Sequence, residues 1–411
     1  FGSSLTIKHS SWEVCSFLAV LPGSCNILGM SATATCTSTT TRVQVLDDFK
    51  NSDLDNPTRR EYHFRTPFLV TWAERLLRDT RDTPMLCLMM NILQLIVPAV
   101  PFIYYVNLKE DAPPLLVRNI LGLIYWVSLV VLFQERFILM LHFLTHRPIF
   151  KIDVLNTLVN WIMVPFFGIP SGVYKLHHVV MHHIENNHEW DISSTEGYRR
   201  DSFANFLMYY FHFGYLIYAE LPMYCIKSKR WEWLRRVMTG VITWSTCVFL
   251  LAKYVSFCAT FWVFIWPHIF AMFVMSFGNF SQHIFVDPQQ PESNYALTYN
   301  CIDTVKNRET FNDGYHVIHH LNARIHWTEL PQYFHSTLDK HKDSGALTFR
   351  GLHFFDVGVL VMTGNIRRLV EKHYVHLGSR ETAPTVEAVE EKLRSWLKPF
   401  TPVPPKQRKA A

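Results

Sequence analysis

The chain has 411 residues and a net charge of +5, and it is 49% hydrophobic against 18% charged, with the apolar residues gathered into blocks. A modest positive charge without a long basic tract interleaved with aromatics excludes nucleic acid as an expected partner. The eight cysteines show no C-x-x-C pairing, which argues against a zinc cluster or a disulfide framework, and they read as buried thiols.

In chain order, residues 1–64 form a polar N-terminal region, expected to be disordered or partly untranslated leader. Met30 opens a Ser/Thr-rich stretch reaching Thr41 that reads like a natural amino terminus. The apolar run 16–22 ends at Pro22 and is shorter than a good signal core. Residues 85–106 then carry no charge and are long enough to cross a hydrocarbon core roughly 30 Å thick. A polar link at 107–114 leads to a second span at 115–133, which continues as helix toward His142. Residues 237–252 and 254–277 form a second hairpin, with Lys253 near its turn.

Arginine and lysine set the orientation of such spans. Arg59, Arg60, Arg65, Arg75, Arg78 and Arg81 precede the first span, and five basic residues crowd 227–236, whereas the link at 107–114 has one. Both termini and every histidine cluster are therefore expected on the cytoplasmic side. Residues 203–224 are apolar enough to span. Their tyrosines (209, 210, 215, 218, 224) are instead the signature of an interfacial segment, so this stretch is expected to lie in the membrane surface. Residues 154–169, short and broken by Pro and Gly, are placed likewise.

Three histidine clusters punctuate the chain: His142 and His146; His177, His178, His182 and His183; His316, His319 and His320. A solitary His283 follows Asn279 by four residues. Imidazole is the commonest side-chain metal ligand. On an α-helix, residues four apart share a face about 6 Å apart. His142 pairs with His146 on this spacing, His178 with His182 and His316 with His320, leaving His183 and His319 to reach a second metal. One such pair alone is more often a surface or core couple. Three clusters, each flanking a membrane hairpin, favour a two-metal centre.

Around the clusters, Glu185, Asp191, Glu196 and Asp313 are candidates to hold the second ring nitrogen of a ligand. His212, His335, His341, His353, His373 and His376 read as structural or exposed. Arg199, Arg200, Lys227, Lys229 and Arg230 read first as positive-inside anchors and second as contacts for a phosphorylated head group. Residues 378–411 look like a charged, partly helical tail. It ends in Arg408-Lys409-Ala410-Ala411, similar to a dilysine endoplasmic-reticulum retrieval signal.

Three histidine boxes in this order around two hairpins resemble the integral-membrane fatty acid desaturase and hydroxylase superfamily, over about residues 65–345. The resemblance implies an all-α, multi-pass membrane domain over 65–377, in which two transmembrane hairpins carry a cytoplasmic helical cap holding a di-iron site. It implies His142, His146, His178, His182, His183, His283, His316, His319 and His320 as ligands, with His177 as an alternative to His178. Asn279 would contact one metal through water, and Glu185, Asp191 and Asp313 would support the ligands. Two iron ions, O2 as co-substrate and an acyl lipid substrate follow. Electrons would come from a separate cytochrome b5 or ferredoxin, since the His-Pro-Gly-Gly haem motif of a fused cytochrome b5 is missing. Box two departs from most desaturases in having three residues between His178 and the following pair. Membrane alkane hydroxylases are similar there and in the N-x-x-x-H element. The expected activity is acyl desaturation, with lipid or alkane hydroxylation second. The expected location is the endoplasmic reticulum, with a plastid membrane as the alternative.

Overall fold

The computed structural model of the chain describes residues 42–46, 53–54 and 67–401, all within one unit spanning Thr40–Ala411. The expected leader, Arg59, Arg60 and Arg65, and the terminal Arg408-Lys409-Ala410-Ala411 lie outside these residues.

Among the described residues, four helices are long and apolar enough to cross a membrane: Thr80–Leu108, Leu115–His146, Trp231–Val255 and Phe257–Gln282. They are called here the first to fourth spans. Pro84 sits in the first turn of the first span, where its missing N–H costs nothing. The second begins after Pro114 and runs without a break into box one. The third and fourth are separated by Ser256, whose extended backbone stops one helix. Its hydroxyl accepts a hydrogen bond from the N–H of Ala259 and so caps the next. The turn therefore falls three residues beyond Lys253.

The spans are joined by close contacts. Gly122 faces the Trp262 ring with no room for a Cβ, and the Trp262 indole donates to Asn119 Oδ1 at 2.9 Å, holding the second span to the fourth. Gly240 lets the third span press on the Ser171 carbonyl. Outward faces expose Phe102, Leu116, Val131, Ile242 and Phe249. That apolar exterior is unfavourable in water and compatible with lipid. The cysteines divide. Cys87, Cys225 and Cys301 are buried as expected, Cys258 is half-buried, and Cys247 is exposed on the third span.

Helix Asp153–Phe167 is apolar but too short to span, and the helix over 203–227 is not among the four. Ser202 caps the latter by accepting from the Asn205 N–H. One of its faces buries Phe206, Tyr209, Phe213, Leu216, Leu221 and Tyr224. The opposite face exposes Phe203, Met208, Phe211, Tyr215, Tyr218, Met223 and Ile226.

The cap beyond the fourth span is helical, yet it contains what an all-α expectation omits. Tyr299–Ile302 pairs in parallel with Leu347–Arg350, and Gln44–Val45 pairs in parallel with Val375–His376. Two stretches expected outside the body belong to it. Asp53 is buried and accepts from the Asp303 N–H, the Asn307 amide and the Tyr315 hydroxyl. Helix Val386–Trp396 buries Val386, Val389, Leu393 and Trp396 in the core instead of trailing as a tail.

Arg200 closes this end. It is fully buried, and its guanidinium donates to the carbonyls of Ile284, Thr195, Glu196, Tyr198, Trp396 and Lys398. Burial lowers its pKa to about 10, so it stays charged at neutral pH. Arg200 is thus an internal brace, not a head-group ligand, and Arg199 pairs with Asp201.

Candidate metal centre

Box one closes the second span, at the end of the α-helical stretch Glu135–His146 that follows a π-helical turn at Val130–Gln134. Box two lies on a π-helical segment, Leu176–His182, in which the His183 N–H bonds back to the His178 carbonyl. That i→i+5 closure overturns the expected His178–His182 pairing, because residues five apart now share a face. His178 Nε2 meets His183 Nε2 at 3.1 Å, and His182 turns the other way. Box three occupies a single six-residue helix, His316–Leu321.

The tertiary fold sorts the rings into two groups. His142, His146, His178, His183 and His319 place one ring nitrogen each within 4.8 Å of one another, and so do His182, His283 and His320. In the first group the Nε2 of His319 lies 2.6 Å from that of His142 and 2.8 Å from that of His183. His316 borders the second group, with its ring centre 4.9 Å from that of His320 and 5.6 Å from that of His283. His177 joins neither. Its ring packs edge-on against Phe213, so it is His178 that reaches the cluster.

Outer partners aim these rings. His182 Nδ1 donates to Asp191 Oδ2 at 2.6 Å, and His283 Nδ1 donates to the Leu297 carbonyl at 3.0 Å. His142 Nδ1 lies 3.0 Å from Asp313 Oδ1, and His320 Nδ1 lies 3.2 Å from Asn186 Oδ1. In His182, His283 and His320, with Nδ1 hydrogen-bonded outside, Nε2 is left to point inward. The Nε2 atoms of His146, His283, His316 and His320 are buried without a hydrogen-bond partner. Burial, reinforced by neighbouring histidines, pushes the pKa values of His178, His183, His316, His319 and His320 well below the usual 6.5, and that of His283 to about 3. Neutral imidazoles keep a lone pair available, as metal binding requires. Orphaned, converging Nε2 atoms and low basicity together fit a pair of metal ions.

The Leu297 carbonyl, Asn186 and Gln282 are not among the carboxylates that the sequence offered for this role. The Leu297 carbonyl carries no sequence signal at all. Asn186 takes a left-handed backbone (φ 54°), and only its position just after box two could have pointed to it. Gln282 donates to Asp313 at 2.9 Å, and its adjacency to His283 was the one available hint. Among the expected carboxylates, Asp191 and Asp313 face box histidines. Glu185 accepts from the Tyr224 hydroxyl at 2.7 Å, and Glu196 is fully buried with His188 Nδ1 3.8 Å away. The Asn279 amide donates to the Ser193 carbonyl at 3.0 Å and to the Tyr209 hydroxyl at 2.7 Å.

The remaining histidines are placed elsewhere. His212 bridges Tyr198 and Glu220. Buried His326 binds Asp82, as does the Trp327 indole, which ties the cap to the start of the first span. A cavity of about 70 Å3 adjoins the cluster. Its lining includes His142, His178, His182, His316, Asn279 and Gln282 together with Leu139, Met275, Gly278, Phe213, Phe354 and Phe355.

Helices long enough to cross a bilayer and two buried histidine groups that could hold metal define a membrane protein of the histidine-box class. The fatty acid desaturase family profile matches residues 119–350, more than half of the chain, and the protein belongs to that family. No curated protein and no solved structure matches it. Membership makes it an oxidoreductase of the desaturase and hydroxylase type that acts on fatty acyl lipids.

Proposed function

We propose that the protein is an O2-dependent fatty acyl desaturase with two irons. One would sit among His142, His146, His178, His183 and His319, the other among His182, His283, His316 and His320. The observation that carries this reading is the convergence of buried Nε2 atoms, several of them without a hydrogen-bond partner, beside a cavity with apolar residues in its wall. Iron at such a site supplies an oxidant able to remove hydrogen from an unactivated C–H, which no side chain can do. The net reaction consumes O2, two electrons and two protons, and it yields a double bond and two waters.

The chain's own residues bind, orient and exclude water. Leu139, Met275, Phe213, Phe354 and Phe355 present apolar surface to an acyl chain, holding one stretch of it against the histidines. Asp191, Asp313, Asn186 and the Leu297 carbonyl hold ring orientation. Asn279, with its amide N–H groups committed to Ser193 and Tyr209, keeps its carbonyl oxygen as an acceptor for a water or substrate hydrogen. Electrons would come from a separate cytochrome b5 or ferredoxin at the cytoplasmic face. The endoplasmic reticulum is the proposed location, and the helix over 203–227 is proposed to lie in the membrane surface.

Box two's spacing supports a second reading, lipid hydroxylation, in which one oxygen is gained instead of two hydrogens lost. Mass spectrometry of lipids from a host expressing the chain decides. A mass 2 Da lower supports desaturation, 16 Da higher supports hydroxylation, and an unchanged lipid profile from iron-replete protein overturns both.

A further inference from the structure

A second cavity, of about 360 Å3, lies against the same two elements that flank the metal centre. The loop after box two contributes Glu189, Trp190 and Ile192, and the helix over 203–227 contributes Glu220, Met223, Tyr224 and Lys227. Nothing in the desaturase chemistry uses it. Its walls combine two carboxylates and two aromatic rings with a lysine. Arg230 adds a second cation close by, its guanidinium carbon 6.0 Å from the Tyr224 ring centre.

We infer that this cavity binds the choline-type head group of the membrane phospholipid that carries the acyl substrate, an inference that rests on the acyl-lipid desaturase reading above. A quaternary ammonium is held by the faces of Trp and Tyr rings and neutralised by carboxylates. Trp190, 43% exposed, and Tyr224 supply the rings, and Glu189 and Glu220 supply the charge. The Glu220 carboxylate is set in place by His212 Nε2, 2.9 and 3.0 Å from its two oxygens. Lys227 and Arg230 suit the phosphate at the other end. A polyanionic soluble carrier fits poorly, because two carboxylates in the wall repel it.

Position supports the same ligand. Glu220, Tyr224 and Lys227 share a helix with Tyr215, Tyr218, Met223 and Ile226, which expose apolar surface beside the spans. The pocket is thus lined by the same helix that presents a face suited to lipid. Phe213, in the wall of the metal-side cavity, precedes Glu220 by seven residues on that helix, about 10 Å of rise. Tyr224 also donates to Glu185 and to the Val180 carbonyl, which ties this wall of the pocket to the box-two segment.

The test is calorimetric titration of the full-length, iron-loaded protein in maltoside micelles. Dihexanoylphosphatidylcholine, dihexanoylphosphatidylglycerol and free phosphocholine serve as probes. Saturable binding of the choline lipid is expected, at least about tenfold tighter than the glycerol lipid and weakened about fivefold or more in Trp190→Ala and Glu189→Gln. Glu189 lies on the surface, so its variant keeps the test valid if the tryptophan variant misfolds. Equal binding of both lipids, or binding untouched by Glu189→Gln, would overturn the inference. Free phosphocholine binding as tightly as the lipid would make this a site for a soluble choline ester and overturn it too. Binding is read without turnover, so the absence of a desaturated product sinks the desaturase reading alone, whereas lost choline preference with turnover intact sinks only the head-group site.

Discussion

Replacing Asp191 with Asn tests whether ring orientation, and not merely the presence of histidine, makes the second group a metal site. Asp191 is buried and accepts four hydrogen bonds: His182 Nδ1 at 2.6 Å, the Asn187 N–H at 2.9 Å, the Ser193 N–H at 2.9 Å and the Ser193 hydroxyl at 2.7 Å. If the Asn oxygen keeps both Ser193 contacts, the new NH2 faces the two donors on His182 and Asn187. Each orphaned buried donor costs about 1–3 kcal/mol, so roughly 2–6 kcal/mol would be lost, a large part of a typical 5–15 kcal/mol stability, to order of magnitude. One escape exists. His182 can shift its proton to Nε2 and accept from the new amide at Nδ1, which recovers stability but protonates the atom directed at His283 and His320. Either route predicts metal affinity at the second group reduced about 10- to 100-fold. Iron per chain at fixed free iron should fall from about two toward about one, while membrane insertion persists. A folded Asp191→Asn protein with full iron content and turnover would refute the argument.

Three further outcomes are expected. A Cβ at Gly278 would sit 3.6 Å from Phe355 Cζ and 3.7 Å from Phe354 Cε2, ordinary contact, so Ala should be tolerated. Gly278→Val should narrow the cavity and shift conversion toward shorter acyl chains at unchanged iron content; unaltered chain-length preference by lipid profiling would remove this cavity as the acyl site. Arg200→Met strips donors from six carbonyls and should cost about 3 kcal/mol or more, lowering the thermal midpoint by roughly 6 °C; an unshifted midpoint in a thermal-unfolding assay would contradict the brace. Single cysteines near Arg199 and Trp231 should both react with an impermeant reagent applied from the cytoplasm, and one near Asp111 should not. Opposite labelling of the first two would separate box two from box three and break the shared centre.

The spans and the boxes were legible in the sequence because both signals are local. An uncharged run such as 85–106 can satisfy its backbone in lipid only as a helix. His142 with His146, four residues apart, needs no tertiary information to share a face. The pairing in box two was not legible, because it turns on one i→i+5 hydrogen bond from His183 to His178. The same residues in an α-helix would pair His178 with His182. Nor could periodicity find the partners that aim the rings. The Leu297 carbonyl serves His283 from 14 residues away, and Asn186 serves His320 from 134 residues away. Arg200 shows the limit most clearly. In sequence it is one of several arginines and lysines near a membrane segment and reads as an anchor. In the fold, segments up to 198 residues away along the chain help to bring six carbonyls around it, and burial without those acceptors would be prohibitive. Hydropathy and spacing are properties of neighbours along the chain. Which nitrogen faces a metal, and which charge is buried, depends on partners that only folding brings together.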